Sequence, residues 1–164
     1  VHLHPHSGGI VSSLSEDDVR QIFELRIYLE GLATRLAVDH MSNVHLQQLE
    51  KLLLESRRLI ENRDYEGYEQ FNRQFHQTIY QYSNNQRLAN LIDDLWNYSA
   101  RYPRLFREPE QLELSYREHQ QILEAMKQRD GELAERLTHQ HKTKAYEMLL
   151  KLIKELNEEY LKDA

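Results

Sequence analysis

Hydrophobic positions along the chain change their period once. Over residues 1–13 they alternate, with Val1, Leu3 and Pro5 set against His2, His4 and His6, followed by Gly8-Gly9 and then Ile10-Val11. A period of two interrupted by a glycine pair predicts a short strand, a turn and a second strand. From Ser15 the apolar residues recur at intervals of three and four, the period of a helix with one buried face. Ser15 is placed to cap the first helix, with Glu16, Asp17 and Asp18 in the turn where negative charge complements the helix dipole. That helix is expected to run to about Met41, and a second, capped by Ser42, from there to about Asn62. A third starts at Asp64 and ends near Ser83-Asn84-Asn85, and a fourth runs from about Gln86 and stops before Pro103, because a residue preceding proline is pushed out of the helical region. After a loop between Pro103 and Pro109, a fifth covers Gln111 to Gln128 and a sixth opens at Asp130 and continues to about Leu161. The fold expected is all-α, an antiparallel bundle of about six helices over residues 14–164, preceded by a short β-hairpin.

Composition narrows what such a bundle can do. At 164 residues the chain fits one principal domain, and 40% hydrophobic with 29% charged residues is the balance of an ordered globular protein. No apolar run reaches the roughly 18 residues a membrane span needs, and no signal pattern opens the chain, so the expected location is cytoplasmic. With no cysteine, disulfides and thiolate metal sites are excluded, and any metal must be held by nitrogen and oxygen. A formal charge of −6 argues against this segment gripping DNA itself, because phosphate contacts need clustered Lys and Arg.

Candidate chemistry lies in polar residues set on apolar stripes. In the fifth helix His119 falls among Leu112, Tyr116, Leu123 and Met126, and in the sixth His141 falls among Ala134, Leu137, Ala145, Met148 and Leu152. Both imidazoles should point inward. His139 lies about 200° from His141 around the helix and is expected to face solvent. In the third helix His76 flanks the stripe of Tyr68, Phe71, Phe75, Ile79 and Tyr82, one turn after Asn72, so the amide and the imidazole could share an ion. Three helices thus each offer an inward imidazole, and three His with an oxygen donor suit a divalent ion such as zinc or nickel. Each His alone is also readable as a hydrogen-bonded core histidine. On the first helix Arg26 and Glu30 share a stripe with Val19, Phe23, Ala33 and Ala37. An inward Arg26 could clamp a carboxylate or pair with Glu30 at i+4. Arg101, with Tyr98 and Tyr102 at the end of the fourth helix, is a second candidate contact for a carboxylate.

These residues carry a family resemblance. Glu24-Leu25-Arg26 with Glu30, the run N-R-Q-F-H from Asn72 to His76, Asn85 with Leu88, His119 before Ile122, and Asp130, Ala134 and His141 resemble the GntR family of bacterial transcription regulators. The specific likeness is to the FadR-type group with its helical effector domain, FCD, and six helices suggest its VanR-like subgroup. Residues 1–13 resemble the end of that family's winged helix, where V-x-V-x-P-x-x-G-x-x-V closes the wing and this chain has Leu3 for the second Val. The resemblance implies that the chain begins inside the wing, that the recognition helices which read an operator lie outside it, and that the effector domains pair as a homodimer. It also implies that Asn72, His76, His119 and His141 hold a divalent metal, and that a small carboxylic acid completes its shell beside Arg26. Asn72 departs from the family, which has Asp there, and a neutral amide binds a dication less strongly than a carboxylate.

The function expected is therefore a sensor, in which a small carboxylate on a metal modulates operator binding. A metal-dependent enzyme is the second reading, weakened because no H-E-x-x-H helix and no separate general base is found. A purely structural dimerisation bundle is the third.

Overall fold

The computed structural model describes the backbone at residues 2–4, 7–10 and 15–163, and side chains over 15–163. Among the described residues seven helices follow one another: α1 (Glu16–Val38), α2 (Asn43–Glu55), α3 (Arg57–Glu61), α4 (Tyr65–Gln81), α5 (Gln86–Ser99), α6 (Pro109–Lys127) and α7 (Gly131–Asp163). The second predicted helix is broken at Ser56, whose hydroxyl donates to Leu53 O, so α2 and the single turn α3 take the place of one element. Counted together they leave the expected six. The sixth expected helix is the longest and runs slightly further than its last apolar residue.

Helix boundaries follow from local chemistry. Ser15, Ser42, Asp64 and Asn85 each accept a backbone N–H three residues on, satisfying donors that a helix start leaves open. His45 completes the cap at Ser42 by accepting its backbone N–H at 3.1 Å. Arg63, Asn84 and Arg129 adopt left-handed backbone (φ 52, 55 and 60°) just past α3, α4 and α6. Arg129 then reaches across to Val38 O, Met41 O and Asn43 Oδ1, tying the end of α6 to the turn between α1 and α2.

Ahead of the helices, β1 (His2–His4) and β2 (Ser7–Ile10) pair antiparallel with an irregular register. Two strands of three and four residues do not define a winged helix, and an isolated pair is at best marginally stable in water. The reading as a wing remnant is therefore not supported, and its key residues Val1, Pro5 and Val11 lie outside the described residues.

α1 packs along α7, and α6 and α5 flank that pair, while α2, α3 and α4 close the other side. The larger core gathers Tyr68, Phe75, Ile79, Ile92, Leu112, Ile122 and Met126, and a smaller one joins Val19 and Phe23 of α1 to Leu149 and Ile153 of α7. The close approach of α1 to α7 rests on Gly31, where a Cβ would lie 2.2 Å from His139 Nε2. Gly31→Ala should cost about 1–3 kcal/mol through overpacking, less what alanine's better helix propensity returns. Urea unfolding should show most of that loss recovered in the Gly31→Ala, His139→Ala double variant. An equal loss in both backgrounds would mean that the His139 contact is not its cause.

Candidate metal and ligand site

Three helices converge on one point. α4 supplies His76, α6 supplies His119 and α7 supplies His141, and their ring nitrogens lie within 4.8 Å of one another in a buried cluster. His76 Nε2 stands 3.0 Å from His119 Nε2, about the separation of two ligands at a right angle on bonds of about 2.1 Å to one ion. Burial drives all three imidazoles toward the neutral form. His76 and His119 are held well below the usual histidine range by desolvation first, then by Lys142 for His76 and by His141 for His119. His141 is lowered by desolvation and partly raised again by the Glu118 carboxylate.

In two of the three rings, outer partners fix which nitrogen carries the lone pair. His141 Nδ1 lies 3.1 Å from Glu118 Oε1, and a carboxylate can only accept, so Nδ1 carries the proton and Nε2 keeps the lone pair. Tyr80 donates its hydroxyl proton to Glu30 at 2.8 Å, so His76 Nδ1, 3.4 Å from the same oxygen, is the group that donates to it. That again leaves Nε2 as the lone pair. His119 Nδ1 lies 3.5 Å from the Tyr68 hydroxyl, which can accept from it or donate to it, so this ring can take either tautomer. Asn72 Oδ1, one turn before His76, is buried and has no hydrogen-bond partner among the described residues. A buried acceptor left so is costly unless something outside the chain satisfies it. Neutral imidazoles with oriented lone pairs and an orphaned amide oxygen fit a divalent cation.

Beside the cluster opens a cavity of about 320 Å³, whose wall includes Asn72, His141, Arg26, Trp96, Glu118 and Lys142. Members of both cores, Phe106 from one and Phe23 and Leu149 from the other, also line it. Glu30, fully buried, accepts from four helices: Arg26 Nε at 3.1 Å, Tyr80 Oη at 2.8 Å, Trp96 Nε1 at 2.8 Å and Lys142 Nζ at 3.3 Å. Desolvation pushes its carboxyl upward, but Lys142, Arg26 and the two neutral donors outweigh that and hold it below the usual range. Lys142, 3% exposed, is brought down to about 8, chiefly by desolvation and against the pull of Glu30.

The sequence-derived ligands thus come together, with Asn72 on the cavity wall beside them. Arg26 takes the second of the two roles open to it, pairing with Glu30; it also donates to Ser99 Oγ at 3.3 Å and lines the cavity. Arg101 does not reach this site. It is exposed, and its guanidinium packs over the Tyr98 ring at 3.7 Å, because α5 ends there and the two nearby tyrosines turn instead to Asp18. His139 lies outside the cluster, as expected, but it is not solvent-facing: it is half-buried against Gly31 and Tyr28 because α1 covers that side of α7. Sequence reasoning missed Glu118, Lys142, Tyr80 and Trp96. A lysine one residue after an inward histidine and four after Thr138 was the available signal for Lys142.

A donor cluster opening on a cationic cavity, within a bundle of helices, defines a domain that holds ligands. Comparison with known proteins gives the family. The FCD domain family matches residues 21–144, and the chain belongs to it: this is the effector-binding regulatory domain of GntR-type transcription regulators. The uncharacterized HTH-type transcriptional regulator YdhC of Bacillus subtilis (strain 168) is 32% identical over 135 residues, covering 78% of this chain and 58% of the relative. The HTH-type transcriptional repressor RspR of Escherichia coli (strain K12) is 27% identical over 142 residues, covering 86% of this chain and 62% of the relative. The chain spans about three fifths of the length of these curated relatives. Its fold resembles that of E. coli McbR/YncC, with a TM-score of 0.77 at 24% identity over 92% of this chain and 76% of that one. It also resembles the metal-free FCD domain of TM0439, with a TM-score of 0.69 at 18% identity over 85% of this chain and 96% of that one. The family and the named relatives are regulators and not enzymes. No helix among the described residues is long and apolar enough to cross a membrane.

Proposed function

We propose that this domain senses a small carboxylic acid at a divalent metal, zinc or nickel, held by Asn72, His76, His119 and His141. The observation that carries the reading is a buried imidazole triad of which His141 lines a cavity together with Arg26 and with Asn72, whose Oδ1 is orphaned. When bound, the ion would supply a positive charge and open coordination positions for an acid. Asn72 contributes a neutral oxygen, so the four protein ligands leave that charge uncompensated and favour an incoming anion. Arg26 contacts the acid through charge-assisted hydrogen bonds while keeping its bond to Glu30. Because Glu30 collects donors from α1, α4, α5 and α7, a change at Arg26 is felt by four helices, and the acid selects the arrangement it binds better. In the whole protein that arrangement would set the geometry of a homodimer and, through a DNA-binding domain outside this chain, its hold on operator DNA.

A panel of hydroxy acids, dicarboxylates and sugar acids, scanned by thermal shift with metal-loaded and metal-stripped protein, tests this. At a hundredfold excess over its dissociation constant the right acid should raise the melting temperature by roughly 5–10 °C. The shift should vanish on metal removal and shrink in Arg26→Lys, which keeps the charge but loses the planar fork. Stabilisation by every acid that survives both changes would sink the mechanism, and absence of any metal in protein purified without chelators would favour a purely structural bundle.

A further inference from the structure

The proposed function asks only for one carboxylate, yet the cavity holds more positive charge than one carboxylate answers. In a chain of net charge −6, five cationic side chains line this wall, Arg26, Arg73, Arg104, Lys142 and Lys144, against two carboxylates, Glu69 and Glu118. Three of the five are accounted for at the rim. Lys144 pairs with Glu118 at 2.8 Å, Arg104 lies against Glu66 and Glu69, and Arg73 donates to Asn97 Oδ1 at 2.6 Å. The other two, Arg26 at 6% exposure and Lys142 at 3%, are buried and share a single carboxylate, Glu30.

That sharing leaves both charge and hydrogen-bonding capacity unanswered. Glu30 Oε1 already accepts from Tyr80, Trp96 and Lys142, so it has little left for further donors. Lys142 makes one polar contact for three N–H donors, and Arg26 makes two for five. Both cations rest against the Trp96 ring, at 4.6 Å for Lys142 Nζ and 4.3 Å for Arg26 Cζ, which holds their heads in place on an apolar support. One positive charge without a counter-charge on side chains this buried is costly unless an anion enters.

Lys142, Arg26 and His141 all line the cavity, so the cationic pair shares its wall with one imidazole of the cluster. A volume of about 320 Å³ is at the small end for ligand pockets, which limits the occupant to a short molecule. We infer that the effector is a short dicarboxylic acid, with one carboxylate at the imidazole cluster and the second held by Lys142 together with Arg26. This rests on the sensor reading of the same site and makes Lys142 the residue that separates diacids from monoacids of equal length. A monoacid places its methyl end where two buried cations have only one counter-charge.

Calorimetric titration of the metal-loaded protein with succinate, malate and glutarate, each beside its monoacid counterpart butyrate, 3-hydroxybutyrate and valerate, tests the inference. A charge-assisted contact is worth enough that at least one diacid should bind about tenfold or more tightly than its counterpart. Lys142→Met, which keeps the stem and removes the charge, should abolish that preference, each diacid losing about tenfold more affinity than its monoacid counterpart. The comparison within wild-type protein needs no variant, so the inference stays testable if Lys142→Met misfolds. Equal binding of diacids and monoacids in the wild type, or an equal loss of both in Lys142→Met, would overturn the diacid subsite and leave the sensor reading standing. If none of the six acids binds, with metal bound at one per chain, the diacid inference falls, and the wider panel of sugar and hydroxy acids decides the sensor reading separately.

Discussion

Protein carrying His119→Ala or His141→Ala should be purified with its divalent metal reduced from about one per chain to a trace, while His139→Ala should keep the full amount. His119 and His141 are two corners of a buried triad, and removing either leaves two imidazoles and a neutral amide, a set with neither the number nor the charge to hold a dication against water. His139 is on the same helix as His141 but packs against Gly31 and Tyr28. Glu118→Gln supplies an intermediate case. It keeps the shape but weakens the acceptor that fixes the His141 ring, and such changes commonly cost about 10- to 100-fold in metal affinity. Elemental analysis of protein purified without chelators, with circular dichroism to confirm that each variant is helical, gives the answer. Equal metal in the His119, His141 and His139 variants would defeat the assignment.

Much of this site was legible because a helix has one period and the triad obeys it. His119 sits among Leu112, Tyr116, Leu123 and Met126, and three of those four are at most 3% exposed. Val19, Phe23, Arg26, Glu30, Ala33 and Ala37 of α1 are likewise all buried. The reading went astray where a helix has neighbours on more than one side. On α7 the apolar residues Leu137, Met148 and Leu152 mark one stripe, but the buried face turns toward Thr138, Lys142, Leu149 and Ile153. Two polar residues on that face hid it from a search for oily positions. For the same reason His139, placed opposite His141, was expected in solvent. Glu118 and Trp96 were invisible for another reason: their partners His141 and Glu30 lie 23 and 66 residues away, and periodicity carries no information about which faces meet.

Glu30 is the position where one substitution should do most damage to the fold itself. Its carboxylate is fully buried and satisfies donors from α1, α4, α5 and α7, with two of the four cationic. Taking charges out of water is costly, and a buried pair breaks roughly even only while both partners are present. Glu30→Ala leaves Arg26 and Lys142, both against the Trp96 ring, with no counter-charge, and strands the Tyr80 hydroxyl and Trp96 N–H as well. Removing one partner of a buried ion pair typically costs about 3–5 kcal/mol, a large part of a domain's stability. Urea unfolding at neutral pH should therefore show Glu30→Ala far less stable than the parent or unfolded outright. The mechanism predicts a specific rescue: Glu30→Gln keeps one oxygen that can still accept from Tyr80 and Trp96, and adding Lys142→Met removes one of the two cations left without a counter-charge, so the double variant should recover part of what Glu30→Gln alone loses. Non-additivity of that kind is what contacting charges produce and independent sites do not. A Glu30→Ala loss below about 1 kcal/mol, the scale of an exposed pair, would mean that this carboxylate is not the joint between the four helices.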